Sequence, residues 1–318
     1  VDDPYSHLAI QYIDKLQESF DISFQSILVG EENADAVHEP SLYSTYCFND
    51  ARRIAPFFGV EFSAKSYPSR ELVIKSNKIL TAVDALNFAE VAKKVSSALW
   101  SGKESILDDL GREYSSTDEE VSNKLESGNL IRNEKDYYFG SAFYYEKELY
   151  WGVDRLHHLE DRLIELGLKK DSINEPICTP TLSAPSRIES ENTVNLHYYP
   201  SLNSPYTYVS SKRVREMKND YPVNLITNPV LPMLMRNMKI PAIKGKYIIS
   251  DAAREGRKNN YPMGSIYSPI GKPARKAYSL FPVVDEAGKG FEYIDELLRA
   301  SFYCLLYTSD AADDRSCV

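Results

Sequence analysis

Cysteine is scarce in this chain. Four residues of 318 are cysteines, Cys47, Cys178, Cys304 and Cys317, and none stands in a CxxC or CxxH spacing. That argues against a dithiol redox pair and against a zinc site built on neighbouring cysteines, so no metal is expected. Isolated thiols suit a reducing compartment, and a cytoplasmic location is the expectation. Positive charge is also short: 37 Lys+Arg face 46 Asp+Glu, for a net charge of −9 and a pI near 5.2. With no clustered basic face, neither nucleic acid nor an acidic membrane surface is an expected partner. No apolar run approaches the ~18 residues that a membrane-spanning helix needs. His157 and His158 are adjacent, so on a helix they are expected to point apart and not to share a metal. The chain opens on Val1 without a Met, which leaves a removed leader compatible with the sequence.

Material for buried cores is ample, with 43% hydrophobic and 12% aromatic residues, and the length suits two domains of ordinary size. The chain also resembles itself. DPYSHLA from Asp3 returns as SPYTYVS from Ser204, a register of 204 − 3 = 201. The register holds through Leu16/Met217, Phe20/Tyr221, Ile22/Val223 and Phe24/Leu225, then at Tyr46/Tyr247, Asp50/Asp251, Arg53/Arg254 and Pro68/Pro269. A period this long points to duplication of one domain, whereas solenoid repeats run to about 20–50 residues.

Residues 1–167 form the first copy. Asp3 and Pro4 start a helix to about Ser19, and Ile22 to Val29 reads as a strand. A helical block follows, with segments near 42–57, 70–79, 82–101, 104–111 and 117–127, and Asp84 starting the third. Phe139 to Tyr145 and Glu148 to Trp151 then read as a hairpin turning at Glu146 and Lys147. A last helix, Asp154 to Leu166, is expected to stop at Gly167. Residues 168–192, rich in Pro and polar side chains, read as a linker. The second copy, 193–303, supplies strand, helix and strand, which requires a parallel crossover and hence an α/β fold. The first copy is expected to lack its first strand, and the second its carboxyl half. The tail 304–318 resembles translated sequencing-adapter read-through and is set aside from the fold.

SPYTYVS at 204–210, KGKYIISD at 244–251, FAEVAKKVSSALW at 88–100 and YWGVDRL at 150–156 resemble the DsbA-like thioredoxin superfamily. They are most similar to its branch of 2-hydroxychromene-2-carboxylate isomerases and kappa-class glutathione transferases. The resemblance implies an α/β thioredoxin-like fold with a helical insertion, in two tandem copies, both incomplete. It also implies glutathione as cosubstrate, a small electrophilic or aromatic partner substrate, and it admits a homodimer. Ser204 would take the place of the serine that hydrogen-bonds the glutathione sulfur. Lys244 would offset the peptide's negative charge, Asn237 would contact glutathione, and Asp154 would grip its glutamyl amino group. Ser204 and Asp154 are equally natural helix N-caps, Lys244 an ordinary surface lysine, and Trp151 a core residue.

The first copy departs from this pattern. Asp3 stands where Ser204 stands in the second, and Tyr43 stands opposite Lys244 (244 − 43 = 201). A carboxylate about 4 Å from a thiolate costs on the order of 4 kcal/mol at an effective dielectric of about 20, so thiolate activation there is disfavoured. The family's cis-proline is replaced near Ala142 in FGSAFYY, and a trans bond is expected. The reading is therefore a degenerate first module beside a second with glutathione-dependent isomerase or transferase chemistry. A non-catalytic tandem binding protein is the alternative. A thiol-disulfide oxidoreductase is opposed by the absent CxxC.

Overall fold

The computed structural model describes residues 1–30, 36–171, 175–180 and 192–303. The chain divides into two compact units, Val1–Ser183 and Ala184–Val318, and each mixes helices with one small two-stranded sheet. It is a mixed α/β chain in which helix predominates.

In unit 1, α1 (Pro4–Ile10) starts where the Asp3 carboxylate accepts the amide hydrogens of Tyr5 and Ser6, with Pro4 in the first turn. The single helix expected to Ser19 is interrupted before α2 (Ile13–Ser19). Gln11 causes the break. Its side-chain amide donates to the His7 carbonyl at 2.9 Å, which its own backbone N–H would take in an α-helix. That N–H turns to Leu8 O instead, at 3.3 Å. Leu8, Tyr12, Leu16 and Phe20 still share one face and are buried together.

Helices α3 (Pro40–Ile54), α4 (Arg70–Ala82), α5 (Phe88–Ser101), α6 (Glu104–Glu113) and α7 (Asp118–Glu134) follow. Ile79 and Leu80 of α4, Val91, Val95 and Leu99 of α5 and Leu107 of α6 close over a second core. Asp84 does not start a helix: its carboxylate takes the amide hydrogens of Leu86 and Asn87 and holds a turn, so α5 begins later. Thr117 and Glu120 form a capping box at α7. Strands β1 (Ala142–Tyr145) and β2 (Glu148–Trp151) make the expected hairpin. Its turn residues Glu146 and Lys147 have φ of 44° and 72°, the left-handed pair that matches strand twist. Helix α8 (Leu156–Glu165) closes the unit.

Two further expectations for unit 1 differ from the structure. The described part of the presumed linker is docked, since both oxygens of buried Glu160 accept backbone N–H groups, from Ile177 at 2.8 Å and Cys178 at 2.9 Å. That seats the Cys178 side chain in the first core. And Ile22 to Val29 forms no strand ladder. Ile22 and Phe24 pack on the core, while Gly30 is tied to Asn129 and Arg132 of α7.

Unit 2 holds a ladder at the matching place. Strands β3 (Val194–Tyr198) and β4 (Val223–Thr227) are parallel, with Val194 opposite Val223 and Tyr198 opposite Thr227, and α9 (Pro205–Asp220) is the crossover. Subtracting 201 from the β4 bounds gives 22–26, so Ile22 to Ser26 is the register match of β4, and among the described residues it joins no ladder.

Helices α10 (Ala242–Lys258), α11 (Lys272–Glu286) and α12 (Gly290–Phe302) complete unit 2. Its core joins Leu202, Tyr208, Ile294, Leu298 and Phe302. The α9 bounds less 201 are 4–19, the combined extent of α1 and α2. One tertiary hydrogen bond recurs in the same register: Tyr5 donates to Asp50 Oδ2 at 2.9 Å and Tyr206 to Asp251 Oδ2 at 2.8 Å. Along α5 and α12 the offset becomes 291 − 88 = 203, and it matches Val91 with Ile294, Val95 with Leu298 and Leu99 with Phe302, all buried.

Candidate functional site

The carboxyl ends of β3 and β4 lie beside the amino end of α9, the location where crevices form in parallel sheets. The Ser204–Pro205 pair sets the geometry locally. Pro205 needs no N–H partner in the first turn, and the Ser204 hydroxyl accepts from Thr207 N at 3.2 Å. Among the described residues that hydroxyl donates to nothing, so its hydrogen is available as a donor.

The flanking loops are braced. Asn228 N donates to Tyr198 O at 2.7 Å and Val230 N to Pro200 O at 2.8 Å, carrying the strand pairing past both strands. Tyr278 of α11 ties them again, its hydroxyl donating to Val230 O at 2.7 Å and accepting from Leu202 N at 3.2 Å. Burial raises the Tyr278 phenol above its usual range, with the Arg236 guanidinium close enough to oppose the shift. Beneath the first turn of α9, Tyr206 reaches Asp251, whose other oxygen takes Arg254 at 2.9 Å.

Of the residues singled out from sequence, Ser204, Asn237 and Lys244 belong to unit 2 and Asp154 to unit 1. Lys244 lies in the first turn of α10, half-buried. Asn237 closes the short turn Met233–Arg236 with φ of 58°, its side chain exposed, a conformation asparagine tolerates well. Neither Ser204 nor Asn237 hydrogen-bonds the other or Lys244 among the described residues. Asp154 is not the cap of the last helix: Arg155 holds that position without a side-chain cap bond. Asp154 pairs with Arg155 at 2.6 Å and adds to the negative surroundings of the Tyr46 phenol. The His157 and His158 rings, expected to diverge, lie 4.0 Å apart between centroids.

Unit 1 presents a different surface at the matching helix end. The Asp3 carboxylate takes three donors: Tyr5 N at 3.1 Å, Ser6 N at 3.0 Å and the Ser6 hydroxyl at 2.6 Å. Burial raises its pKa although these bonds oppose the rise. Gly140 abuts this group, since a Cβ there would meet Asp3 Oδ2 at 3.3 Å and Ser6 Oγ at 3.4 Å. Next to it Tyr43 stacks on Phe139 and Phe139 on Trp151, with centroids 5.9 and 4.9 Å apart. Asp3 and Tyr43, the counterparts of Ser204 and Lys244, therefore both meet the Phe139–Gly140 loop. The peptide bond before Ala142 is trans, as are all the others described.

Sequence reasoning missed Tyr278, which reaches the strand ends from a distant element with no local signature. Tyr206 was within reach, because Tyr5/Tyr206 and Asp50/Asp251 are identical pairs in one register. Compared with known proteins, the chain matches no family model, no curated protein and no solved structure.

Proposed function

We propose that the chain is a tandem DsbA-like thioredoxin-fold protein whose second unit binds glutathione and uses its thiolate to isomerise, or to be transferred to, a small electrophilic or aromatic substrate. One observation carries this reading: the Ser204 hydroxyl caps α9 directly after a parallel strand and keeps its proton to donate. Two further observations support the tandem arrangement. The elements repeat at a spacing of 201, and the Tyr5–Asp50 and Tyr206–Asp251 bonds are equivalent.

At that helix end, about half a positive charge and the first-turn N–H groups favour an anion, and a hydroxyl donor adds one bond to sulfur. The bound thiol releases its proton to solvent. Its thiolate then adds to an electron-poor carbon and leaves a carbanion next to it. Bond rotation followed by expulsion of the thiolate by the carbanion's electron pair completes an isomerisation, whereas protonation of the carbanion with the C–S bond retained completes a transfer. Arg236 and Lys244 are the cations of unit 2 suited to the peptide's carboxylates. Unit 1 is the non-catalytic partner in this reading, because Asp3 already supplies an anion to its helix end.

Calorimetry with glutathione, together with thiolate ultraviolet absorbance, tests the proposal. Wild-type chain should bind, Ser204→Ala should lower the thiolate fraction, and Ser204→Asp, which preserves a cap, should abolish it. Absence of heat with the wild type, or unchanged thiolate in Ser204→Asp, would refute it.

A further inference from the structure

Helix α11 is the match of α4 in the 201 register, which sets Asn77 opposite Tyr278 and Ile79 opposite Leu280. The two helices serve their units differently. Among the described residues the Asn77 side chain makes no hydrogen bond, whereas the Tyr278 hydroxyl makes two, donating to Val230 O at 2.7 Å and accepting from Leu202 N at 3.2 Å. Leu202 follows β3 and Val230 follows β4, so one phenol spans the loops that leave the carboxyl ends of both strands. The span reaches Ser204 through a tight turn. Ser204 N donates to Ser201 O at 3.1 Å, with Leu202 and Asn203 between them. Tyr278 holds the Leu202 amide, the unit 2 core holds the Leu202 side chain, and Asn203 Oδ1 accepts from Ser268 Oγ at 2.8 Å. Tyr278 is itself fixed: its ring packs on that core, and the Tyr293 hydroxyl of α12 donates to the adjacent Ala277 O at 3.0 Å.

We propose that Tyr278 is a positioning residue for the thiol site at the amino end of α9. Its hydroxyl holds the two strand-end loops at the separation that aims the Ser204 hydroxyl and the first-turn N–H groups at a bound glutathione sulfur. The part it plays is geometric, because its one hydrogen is given to Val230 O and none is left for a ligand. Aim matters at such a site. Hydrogen bonds weaken steeply as they leave the line of donor and acceptor, and a displacement of about 1 Å at a reacting group costs about a hundredfold in rate. The inference rests on the thiol reading of unit 2. It adds that the site depends on a group 74 residues beyond Ser204 (278 − 204), on a helix that contributes nothing to the parallel strands.

The test compares Tyr278→Phe with Tyr208→Phe in the full chain. Both substitutions remove one phenol hydroxyl and keep the ring in the same core, but the Tyr208 hydroxyl donates to Pro262 O at 2.8 Å, away from the strand-end loops. Amide hydrogen exchange reads the loops. Glutathione calorimetry, with thiolate ultraviolet absorbance followed over pH, reads the site. Tyr278→Phe should speed exchange of the Leu202 and Ser204 amides about fivefold, the size expected for one lost hydrogen bond. It should weaken glutathione binding about fivefold and move the titration of the bound thiol to higher pH. Tyr208→Phe should leave all three as in the wild type. Unchanged exchange in Tyr278→Phe overturns the proposal, and so does faster exchange with an unmoved titration, which would make the bridge a matter of packing alone. An equal shift in Tyr208→Phe also overturns it, by assigning the effect to general loosening of the core. A wild-type chain that binds no glutathione overturns the thiol reading and this role together, whereas a wild type that binds no better than Tyr278→Phe overturns this role alone.

Discussion

In unit 1 the amino end of α1 faces a carboxylate of its own chain, and in unit 2 the matching end of α9 faces a hydroxyl. Asp3 collects three donors in a half-buried setting, whereas Ser204 accepts one and retains a proton. The supporting frame is otherwise alike, with a tyrosine of the first turn held by an aspartate 45 residues on in each unit. The two helix ends therefore differ in the residue that caps them, a carboxylate in unit 1 and a hydroxyl in unit 2. The two units can be followed separately, because both tryptophans, Trp100 and Trp151, lie in unit 1. Tryptophan fluorescence reads unit 1, while circular dichroism reads both.

The sharpest test of that likeness is Asp251→Ala against Asp50→Ala. Asp251 is 1% exposed and takes both Tyr206 and Arg254. Removing it takes away a buried carboxylate that pairs with Arg254 and accepts from Tyr206, and should cost about 3–5 kcal/mol in urea unfolding followed by circular dichroism. Half-buried Asp50 accepts one hydrogen bond among the described residues, from Tyr5, and Asp50→Ala should cost about 1 kcal/mol by tryptophan fluorescence. Equal losses would mean that the two frames carry the same load. A second pair probes the helical coverings. Ile79→Ala should cost about 3 kcal/mol, and Leu280→Ala, at an exposed position, within about 0.5 kcal/mol.

How much of this could be read from the chain depends on range. The Glu146–Lys147 turn, the Ser204–Pro205 start and the Thr117 helix boundary are local, and residues within one turn determine them. Ile22 to Val29 has a strand's composition, but a ladder needs a neighbour that composition cannot supply. Gln11 breaks a helix because its amide finds His7 O and Glu61 O at once, the second from 50 residues away. Glu160 seats residues 177 and 178, and Tyr278 braces loops at 202 and 230, by contacts that no periodicity announces. Asp154 looked like a cap because acids favour that place, yet the short turn at Val153–Arg155 moves the cap onward to Arg155.

Acid should separate the units next. His7 is buried, stacks on Trp100 and bonds Ser96 through Nδ1 at 2.8 Å. Burial lowers its pKa to about 4. Between the unfolded value of about 6.5 and this folded value, the unfolded chain binds a proton that the native one refuses. Stability is thus full above about pH 6.5 and falls as pH drops towards 4, by at most about 3 kcal/mol. Its counterpart in unit 2 is Tyr208 (208 − 201 = 7), which donates to Pro262 O at 2.8 Å and does not titrate in this window. Tryptophan fluorescence should therefore show an acid-labile unit 1, and His7→Phe should flatten the profile. An unaltered slope in that variant would assign the lability to other groups.

The smallest effect bears most directly on the helix ends. Ser204→Ala removes a cap and should cost about 1 kcal/mol. Asp3→Asn keeps a capping oxygen while removing a charge whose burial is unfavourable. A raised carboxyl pKa stabilises below the unfolded value and loses that contribution as pH rises through the folded one, so at neutral pH Asp3 is a net liability. Asp3→Asn should consequently leave unit 1 unchanged or slightly more stable at pH 7, with the benefit vanishing below about pH 4, where Asp3 is protonated in both states. A clear loss at neutral pH would show instead that the ionised carboxylate earns more from its three donors and the helix dipole than desolvation takes away. The Asp3 end of unit 1 would then be an anion-stabilising pocket as strong as the one assigned to Ser204, differing only in that its anion is built in.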